Sequence, residues 1–291
     1  MEHRSGFVNI IGNPNVGKST IMNALVGDKL SIITSKAQTT RHRIMGIVNG
    51  ADFQIVYSDT PGILNPNYKL QESMMKSIKS ALVDADILLY VTDVNETMEK
   101  NTELLEKIKR LKIPLLVLIN KIDLSNQEKV ITLFGKWQRI FPQAEIIPLS
   151  ATNFFNVDKL LNRIIELLPP GPPYFPKDQI TDRTERFFVS EMIREKILMK
   201  YRKEIPYSVE VEIDSFKEEE GIIRIRAIIH VLRESQKGII IGHKGQSLKE
   251  IGRLAREDME RFFSKKIFLE LFVKVNKDWR NKERLLKKFG Y

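Results

Sequence analysis

The first 170 residues alternate short apolar runs with longer segments whose apolar positions recur at helical spacing. The apolar runs cover 7–11, 53–57, 87–92, 115–119 and 146–149, and the helical segments cover 18–26, 71–83, 98–111, 127–140 and 157–168. Nearly continuous apolar strands separated by amphipathic helices are typical of a parallel sheet covered on both faces. A further run at 43–48 reaches the run at 53–57 through Asn49-Gly50, which predicts a hairpin with an antiparallel edge strand.

A proline-rich stretch at 169–176 ends this pattern, because it cannot continue a helix or pair in the centre of a sheet. Beyond it we predict a helix over 184–203, strands over 208–216 and 221–232 joined by an acidic turn at 217–220, a short helix near Ser235, a helix over 247–263 and a strand over 267–275. The order α-β-β-α-α-β predicts a small α+β layer. We therefore divide the chain into a first domain over 1–170, a linker over 171–182 and a second domain over 183–291.

Composition narrows the class of protein. The chain has no cysteine, which excludes disulfides, cysteine metal sites and thiol catalysis and fits a reducing cytosol. No run approaches the roughly 18 apolar residues that suggest a membrane span, and the N-terminal residues lack a signal-peptide pattern. We therefore expect a cytoplasmic protein whose membrane contact, if any, is peripheral.

The net charge of +10 is concentrated in the C-terminal third. Residues 1–180 contain 21 Lys and Arg against 18 Asp and Glu, whereas residues 181–291 contain 26 against 19. A basic region of this kind attracts polyanions. The alternative is a solvated, lysine-rich surface of the kind found in heat-stable proteins, and charge alone does not separate the two.

Residues 12–19 match the phosphate-binding pattern G-x-x-x-x-G-K-[ST] between a predicted strand and a predicted helix. In that position, backbone N–H groups and the helix N-terminus can surround phosphate oxygens. Lys18 then supplies a positive charge to the terminal phosphates, and the Ser19 hydroxyl is a ligand for Mg²⁺. The predicted phosphate site comprises Gly12, Asn13, Pro14, Asn15, Val16, Gly17, Lys18, Ser19 and Thr20.

The loop after the fourth apolar run predicts which base is bound. Asp123 can accept hydrogen bonds from N1–H and the 2-amino group of guanine, whereas adenine would leave this carboxylate unpaired. Asn120 can tie the loop to the phosphate loop, and Lys121 can lay its alkyl stem on the base. Ser150 and Ala151, after the last apolar run, are expected to place backbone N–H groups near the guanine carbonyl.

Two further segments complete the predicted nucleotide site. In Asp59-Thr60-Pro61-Gly62, Asp59 can hold Mg²⁺ through water and the Gly62 N–H can contact the terminal phosphate. Thr40 lies where a segment between the first helix and the hairpin would supply a second hydroxyl to Mg²⁺. The predicted metal ligands are thus Ser19, Thr40 and Asp59. Contacts to the terminal phosphate are expected to order residues 33–43 and 60–75 in one nucleotide state only.

The second domain contains the pattern G-x-x-G at 242–245, between two predicted helices. Such a turn brings backbone N–H groups against phosphates, as in KH domains, which hold about four single-stranded nucleotides. A plain glycine turn is the alternative for the string alone, and the flanking helices and basic charge favour RNA. The predicted RNA-binding residues are Ile241, Gly242, His243, Lys244, Gly245, Lys249 and Arg253. The basic tail at 274–291 is either an arm on RNA or a solvated terminal helix.

Taken together, these motifs, the segment 38–44 (Gln-Thr-Thr-Arg-His-Arg-Ile) and the proline-rich stretch resemble the Era-like family of translation-factor-class GTPases. The resemblance implies an α/β P-loop GTPase domain, a mostly parallel sheet with helices on both faces, followed by a smaller α+β type II KH domain. It also implies hydrolysis of GTP to GDP and phosphate, and binding to the 3′ end of 16S ribosomal RNA as a nucleotide-switched factor in small (30S) subunit assembly. Peripheral contact with the cytoplasmic side of the inner membrane is also implied. We expect a monomer that does not bind DNA.

Phosphoryl transfer needs an oriented water and charge stabilisation. The position directly after D-x-x-G, where many GTPases carry glutamine, is Ile63, which predicts slow intrinsic turnover. Either an activating partner or a monovalent cation can compensate. The resemblance points to K⁺ held by Asn15, although Asn15 beside Pro14 is also an ordinary turn residue. The residues assigned to catalysis are Lys18, Thr40, Gly62 and Asn15, and the sequence identifies no general base.

Two other functions fit parts of the sequence. A related tRNA-modifying GTPase would carry its G domain as an insertion and a catalytic cysteine near its C-terminus, whereas this chain starts with the G domain and has no cysteine. A membrane-associated signalling GTPase would use the basic tail on anionic lipids. Salt-dependent binding to short RNA or to vesicles separates this last function from ribosome assembly.

Overall fold

The structure of the protein is a computed structural model that describes residues 2–96 and 102–291. These residues form two compact units. The first comprises the described residues up to Ser31, Thr40–Pro66 and Ser73–Asp182, and the second comprises Arg183–Tyr291 together with Ile32–Thr39 and Asn67–Glu72. Within the described ranges, no helix combines the length and the apolar character needed to cross a bilayer.

The first unit is built on a sheet that has six strands in the described residues. They are β1 (Arg4–Gly12), β2 (Ile44–Asn49), β3 (Phe53–Asp59), β4 (Ile87–Asp93), β5 (Leu115–Asn120) and β6 (Glu145–Pro148), in the spatial order β2-β3-β1-β4-β5-β6. All neighbours are parallel except β2 and β3, which form the predicted hairpin. Because parallel strands end at one edge of the sheet, the loops after β1, β3, β4 and β5 are brought side by side, where α/β sheets bind ligands.

The helices of the first unit pack their apolar faces against this sheet. They are α1 (Lys18–Val26), α2 (Lys69–Val83), α3 (Thr102–Lys109), α4 (Gln127–Ile140) and α5 (Val157–Leu167). An aromatic cluster in the core stacks Trp137 on Phe141, with ring centroids 6.0 Å apart, beside Tyr90. The helix predicted over 98–111 is observed as α3. Positions 98–101 of that prediction lie outside the described residues.

The proline-rich segment after α5 packs along the first unit without forming a helix or a regular strand. The Tyr174 ring lies 4.8 Å from that of Phe7, and the Gln54 side chain accepts hydrogen bonds from the backbone N–H groups of Tyr174 and Phe175. The segment therefore contacts the sheet as far as Asp182, the last residue of this unit. The functional division at 170 and 183 stays a prediction.

The second unit is an α+β layer. Its elements are α6 (Glu185–Lys200), α7 (Ile205–Ser208), β7 (Glu210–Glu219), β8 (Ile222–Val231), α8 (Glu234–Ile241), α9 (Gln246–Phe263), β9 (Lys266–Val275) and α10 (Glu283–Lys288). β7 pairs antiparallel with β8, and β9 pairs parallel with β8 on the other side. One face of this sheet packs on α6, α8 and α9 through a single apolar core.

The prediction of an acidic turn at 217–220 is wrong. β7 continues to Glu219, which pairs with Ile222, so the turn contains only Glu220 and Gly221. Gly221 adopts a φ of 76°, the left-handed conformation that glycine tolerates in a tight turn. The acidic residues alternate across the pleat, and cross-strand pairing outweighs their low strand propensity.

A buried arginine organises the second unit. Arg194 is 1% exposed and donates from Nε and Nη2 to the two carboxylate oxygens of Glu191, at 2.7 and 2.5 Å. Its Nη2 also donates to the backbone carbonyl of Thr39 at 2.5 Å. The segment Ile32–Thr39 is thereby attached to α6 by a charge-assisted hydrogen bond.

Candidate nucleotide site and RNA groove

The predicted phosphate loop joins β1 to α1 and folds with little space for side chains. Gly12 and Gly17 adopt φ values of 153° and 100°. A Cβ at Gly12 would lie 2.2 Å from the Val91 carbonyl oxygen, and one at Gly17 would lie 2.2 Å from Asn120 Nδ2. Glycine is therefore required at both positions, and backbone N–H groups line the loop ahead of the α1 N-terminus.

Lys18 is the buried cation of this loop. Its side chain is 6% exposed, and Nζ donates to the carbonyl oxygens of Gly12 and Asn13 at 3.1 and 2.8 Å. Burial lowers the pKa of Lys18 to about 8, although the nearby Asp59 and Glu96 carboxylates act in the opposite direction. The loop thus holds an ammonium group that is poorly solvated and favours a bound anion.

The three predicted metal ligands lie together. Ser19 Oγ donates to Asp59 Oδ2 at 2.6 Å and lies 2.9 Å from Thr40 Oγ1, which itself lies 3.3 Å from the same carboxylate oxygen. Asp59 is fully buried, and burial raises its pKa against the opposing effect of the Ser19 hydrogen bond and the Lys18 charge. Asp59 Oδ1 has no hydrogen-bond partner among the described residues. Hard oxygen donors around a carboxylate with an unused buried oxygen fit Mg²⁺.

The segment after β3 closes over the phosphate loop. Thr60 Oγ1 donates to the carbonyl oxygen of Ile10 at 2.7 Å, and the Ile63 N–H donates to that of Gly12 at 3.2 Å. A Cβ at Gly62 would lie 2.8 Å from the Cα of Pro14. The Ile63 side chain is buried and apolar, so it offers no hydrogen bond to a water at this position.

The predicted base-binding residues form one connected group. Asn120 donates from Nδ2 to the Val16 carbonyl oxygen at 2.9 Å and accepts from the Ala151 N–H at 3.1 Å, so it links three loops. Lys121 Nζ contacts Asp93 Oδ2 at 2.7 Å and the Asn15 carbonyl oxygen at 2.5 Å. Ser150 Oγ donates to Asp123 Oδ1 at 2.5 Å. These contacts orient the Asp123 carboxylate at the exposed rim of the site.

Sequence reasoning missed two acidic residues near these loops. Asp93, at the end of β4, pairs with Lys121. Glu96 accepts a hydrogen bond from the Asn13 side chain and another from Thr92 Oγ1 at 2.5 Å, and burial raises its pKa. No motif marks either residue. Their location could have been predicted from the sheet alone: β4 lies beside β1 and parallel to it, so residues after β4 lie at the same sheet edge as the phosphate loop.

The G-x-x-G turn of the second unit lies between α8 and α9. Gly242, Lys244 and Gly245 have φ values of 72°, 48° and 77°, and a Cβ at Gly242 would lie 2.6 Å from Ser247 Oγ. The exposed side chains of His243 and Lys244 project at the tip of the turn. Tight packing and positive φ together require the first glycine.

A groove of about 740 Å³ runs from this turn between α9 and the edge strand β9. Among the predicted RNA-binding residues, Gly245, Lys249 and Arg253 line it, whereas Ile241, Gly242, His243 and Lys244 do not. Arg256 on α9, which the sequence also places among the basic residues of this helix that can reach a nucleic-acid backbone, lines it as well, together with apolar residues of β9 that the sequence did not single out. The lining is Gly245, Gln246, Leu248, Lys249, Glu250, Gly252, Arg253, Arg256, Ile267, Phe268, Leu269 and Leu271.

Comparison with known proteins identifies two families in separate parts of the chain. A family described as "50S ribosome-binding GTPase" matches residues 7–121, and a family described as "KH domain" matches residues 204–280. The chain is 48% identical over 291 residues to GTPase Era of Syntrophus aciditrophicus (strain SB), covering 99% of this chain and 95% of the relative. The chain belongs to the Era family of GTPases. Era of Staphylococcus haemolyticus (strain JCSC1435) is 45% identical, with 100% of this chain and 98% of the relative covered.

Solved structures of Era resemble this fold over its whole length. Era in complex with MgGDPNP and nucleotides 1506–1542 of 16S ribosomal RNA aligns with a TM-score of 0.95 at 41% identity and covers 99% of both chains. A tyrosine-to-alanine variant of Aquifex aeolicus Era bound to GDP·AlF4⁻ gives the same TM-score, identity and coverage. The predicted fold class, a P-loop GTPase domain followed by a KH domain, is confirmed, and so is the assignment to Era.

Proposed function

We propose that this protein binds GTP, hydrolyses it to GDP and phosphate, and uses its nucleotide state to control binding to the 3′ end of 16S ribosomal RNA during small-subunit assembly. The observation that supports this most directly is the grouping of Ser19, Thr40 and Asp59 beside buried Lys18, with Asn120 joining the base-binding loop to the phosphate loop. Era relatives solved with MgGDPNP and 16S ribosomal RNA, and with GDP·AlF4⁻, support both parts.

In this proposal each group of residues has one role. Gly12–Thr20 and Thr60–Gly62 surround the phosphates, and Lys18 supplies charge to the terminal ones. Ser19, Thr40 and Asp59 would hold Mg²⁺, which would supply charge neutralisation at the phosphate oxygens. Asp123 selects guanine, with Ser150 orienting its carboxylate and Lys121 covering the base.

Base selection is tested by the Asp123→Asn variant. Its amide cannot accept both guanine donors, so the affinity for GTP over ATP is expected to fall at least tenfold, about 1.4 kcal/mol. Isothermal titration with a non-hydrolysable analogue of each nucleotide measures it. Asp158→Asn, an exposed aspartate in the first turn of α5, is the matched control and should bind like the wild type. An unchanged preference in Asp123→Asn would contradict the proposed base site.

We propose that K⁺ supplies positive charge for hydrolysis, because Ile63 stands at the position where many GTPases carry a water-orienting glutamine. Ile63 is buried and apolar, and Asn15 has a positive φ of 65° in the phosphate loop, with its carbonyl oxygen close to Lys121. Turnover is expected to be at least tenfold faster in K⁺ than in Na⁺ at equal ionic strength, and Asn15→Ala should remove the difference. Equal rates in both salts would leave an activating partner as the source of this charge.

RNA binding is assigned to the G-x-x-G turn and the groove. The turn residues Ile241–Gly245 would clamp the backbone, while Lys249 and Arg253 face it from α9. Gly242→Asp adds a negative charge and a side chain where Ser247 leaves no space. The affinity for 16S nucleotides 1506–1542 is expected to drop at least tenfold, measured by fluorescence anisotropy, with GTP binding unchanged. Retained affinity would refute the assignment of RNA binding to this turn.

The cytoplasmic location, the assembled 30S subunit as partner and a peripheral contact with the inner membrane are further parts of this proposal. The basic C-terminal third supports attraction to either polyanion. Sedimentation with purified 30S subunits and flotation with vesicles containing anionic lipid, both at physiological salt, test them separately. Binding to subunits but not to vesicles would contradict the proposed membrane contact.

A further inference from the structure

The sheet of the second unit has one face that the core leaves open. Along β8, Ile223, Ile225 and Ala227 point to the helices and are buried, whereas the alternating residues Arg224 and Arg226 point to the other side and are exposed. On β9 the same side carries Phe268 and Phe272, which are 45% and 49% exposed. We call Arg224, Arg226, Phe268 and Phe272 the open face.

These four residues form two arginine–aromatic pairs. Arg224 Cζ lies 5.3 Å from the centroid of Phe268, and Arg226 Cζ lies 5.9 Å from that of Phe272, within the range of a cation–π contact. The arginines also face Glu219, Glu270 and Asp214 at 3.0, 3.6 and 3.9 Å. All these side chains are about half exposed, so the ion pairs contribute little to stability.

The other end of the same sheet face is covered by the chain itself. Phe289 packs on His230 with ring centroids 5.0 Å apart, and Trp279, fully buried, donates from Nε1 to the Ser208 carbonyl oxygen at 3.0 Å. The C-terminal segment therefore covers the aromatic and polar residues near His230. It leaves Phe268 and Phe272 exposed to solvent.

The open face is continuous with the RNA groove. β9 is an edge strand, and Phe268 lines the groove while its ring pairs with Arg224 on the open face. A polynucleotide that leaves the groove across β9 reaches Phe268 first. Phe272 lies four residues further along the strand, about 13 Å away. Since stacked bases are about 3.4 Å apart along one strand, the two rings suit two separate, splayed bases.

We propose that the open face binds the single-stranded RNA that continues beyond the groove, with bases stacked on Phe268 and Phe272 and phosphates near Arg224 and Arg226. This rests on the proposed RNA-binding function and extends it to a second site. A KH clamp holds about four nucleotides, whereas the RNA in the Era complex spans nucleotides 1506–1542, so most of that RNA lies outside a clamp of this size. Aromatic platforms flanked by arginine are a common device for holding unpaired bases irrespective of sequence.

The test compares RNA length in wild type and in Phe272→Ala and Phe272→Leu variants of the full chain. Phe272 is chosen because it does not line the groove. The probes are 16S nucleotides 1506–1542 and a series of fragments shortened from either end, measured by fluorescence anisotropy. Both variants are expected to bind the full fragment about tenfold more weakly and the shortest bound fragment like the wild type. Leucine keeps the apolar contact but has no ring face, so the two losses should match.

Phe134→Ala is the matched control, because Phe134 is 38% exposed on α4 in the first unit. It should bind every fragment like the wild type, and thermal unfolding and GTP turnover should be unchanged in all variants. Unchanged binding of the full fragment by both Phe272 variants, or an equal loss at every length, would overturn the proposal. A loss seen with intact 30S subunits but not with naked RNA would assign the face to a protein partner instead. Failure of the wild type to bind any fragment would refute the RNA function itself.

Discussion

The low pKa of Lys18 makes nucleotide binding depend on pH in a defined direction. Burial lowers this pKa from 10.5 to about 8 in the free protein, a shift that corresponds to ~3.4 kcal/mol of disfavoured charge. Triphosphate oxygens and Mg²⁺ occupy the same loop in the proposed complex, and the phosphates favour the charged ammonium. Below pH 8 the free protein already carries that charge, whereas above it nucleotide binding must take up a proton.

The magnitude follows from the fraction of charged Lys18. At pH 7 about nine-tenths of the free protein is protonated at this site and at pH 8.5 about one quarter, so affinity should fall about fourfold between them. At pH 8, binding should take up about half a proton per nucleotide. Isothermal titration of a non-hydrolysable GTP analogue with saturating Mg²⁺, repeated in two buffers of different ionisation enthalpy, measures both quantities.

The control is Lys18→Arg, whose guanidinium stays charged throughout this range. Its affinity is expected to be lower but independent of pH, with no proton uptake at pH 8. Flat affinity and zero proton uptake in the wild type would show that burial does not depress the pKa of Lys18. The same uptake in Lys18→Arg would show that another group is responsible.

Three further predictions concern other residues. Ser19→Ala should raise the Mg²⁺ concentration needed for half-maximal GTP binding at least tenfold, while Thr20→Ala should not; equal Mg²⁺ dependence would remove Ser19 from the metal site. Lys249→Ala and Arg253→Ala should each reduce the slope of log affinity for RNA against log salt concentration by about 0.7. Arg139→Ala is the control, and an unchanged slope in the first two variants would show that their side chains do not contact phosphates. Trp279→Ala, at a fully buried site, should destabilise the second unit by ~3–5 kcal/mol in urea unfolding, and a loss below ~1 kcal/mol would show that the C-terminal segment contributes little.

The sequence alone determined the order of elements and the local loops. Residues 12–19 form one continuous segment, and residues 120–123 form another. Within each segment the glycines, the lysine or the carboxylate lie in a single backbone turn, so the local pattern is sufficient to predict the kind of ligand. The spacing of apolar residues likewise predicted the strands of the first sheet and the helix after the G-x-x-G turn. This works because an element buried on one or both faces carries apolar residues at the period of that element. The acidic turn at 217–220 failed, since pairing with β8 decides where β7 ends.

Which distant residues meet depends on the packing of the strands and helices. Three contacts join residues that lie 27 to 83 positions apart in the sequence. They are Glu96 with Asn13, Ser150 with Asp123, and Arg224 with Phe268. Strand order brings the first two pairs to one sheet edge, and the parallel register of β8 and β9 sets the third. Phe268 and Phe272 alternate with core residues on a strand whose apolar pattern does not tell its two faces apart. Which of those faces is covered by helices depends on the packing of α6, α8 and α9.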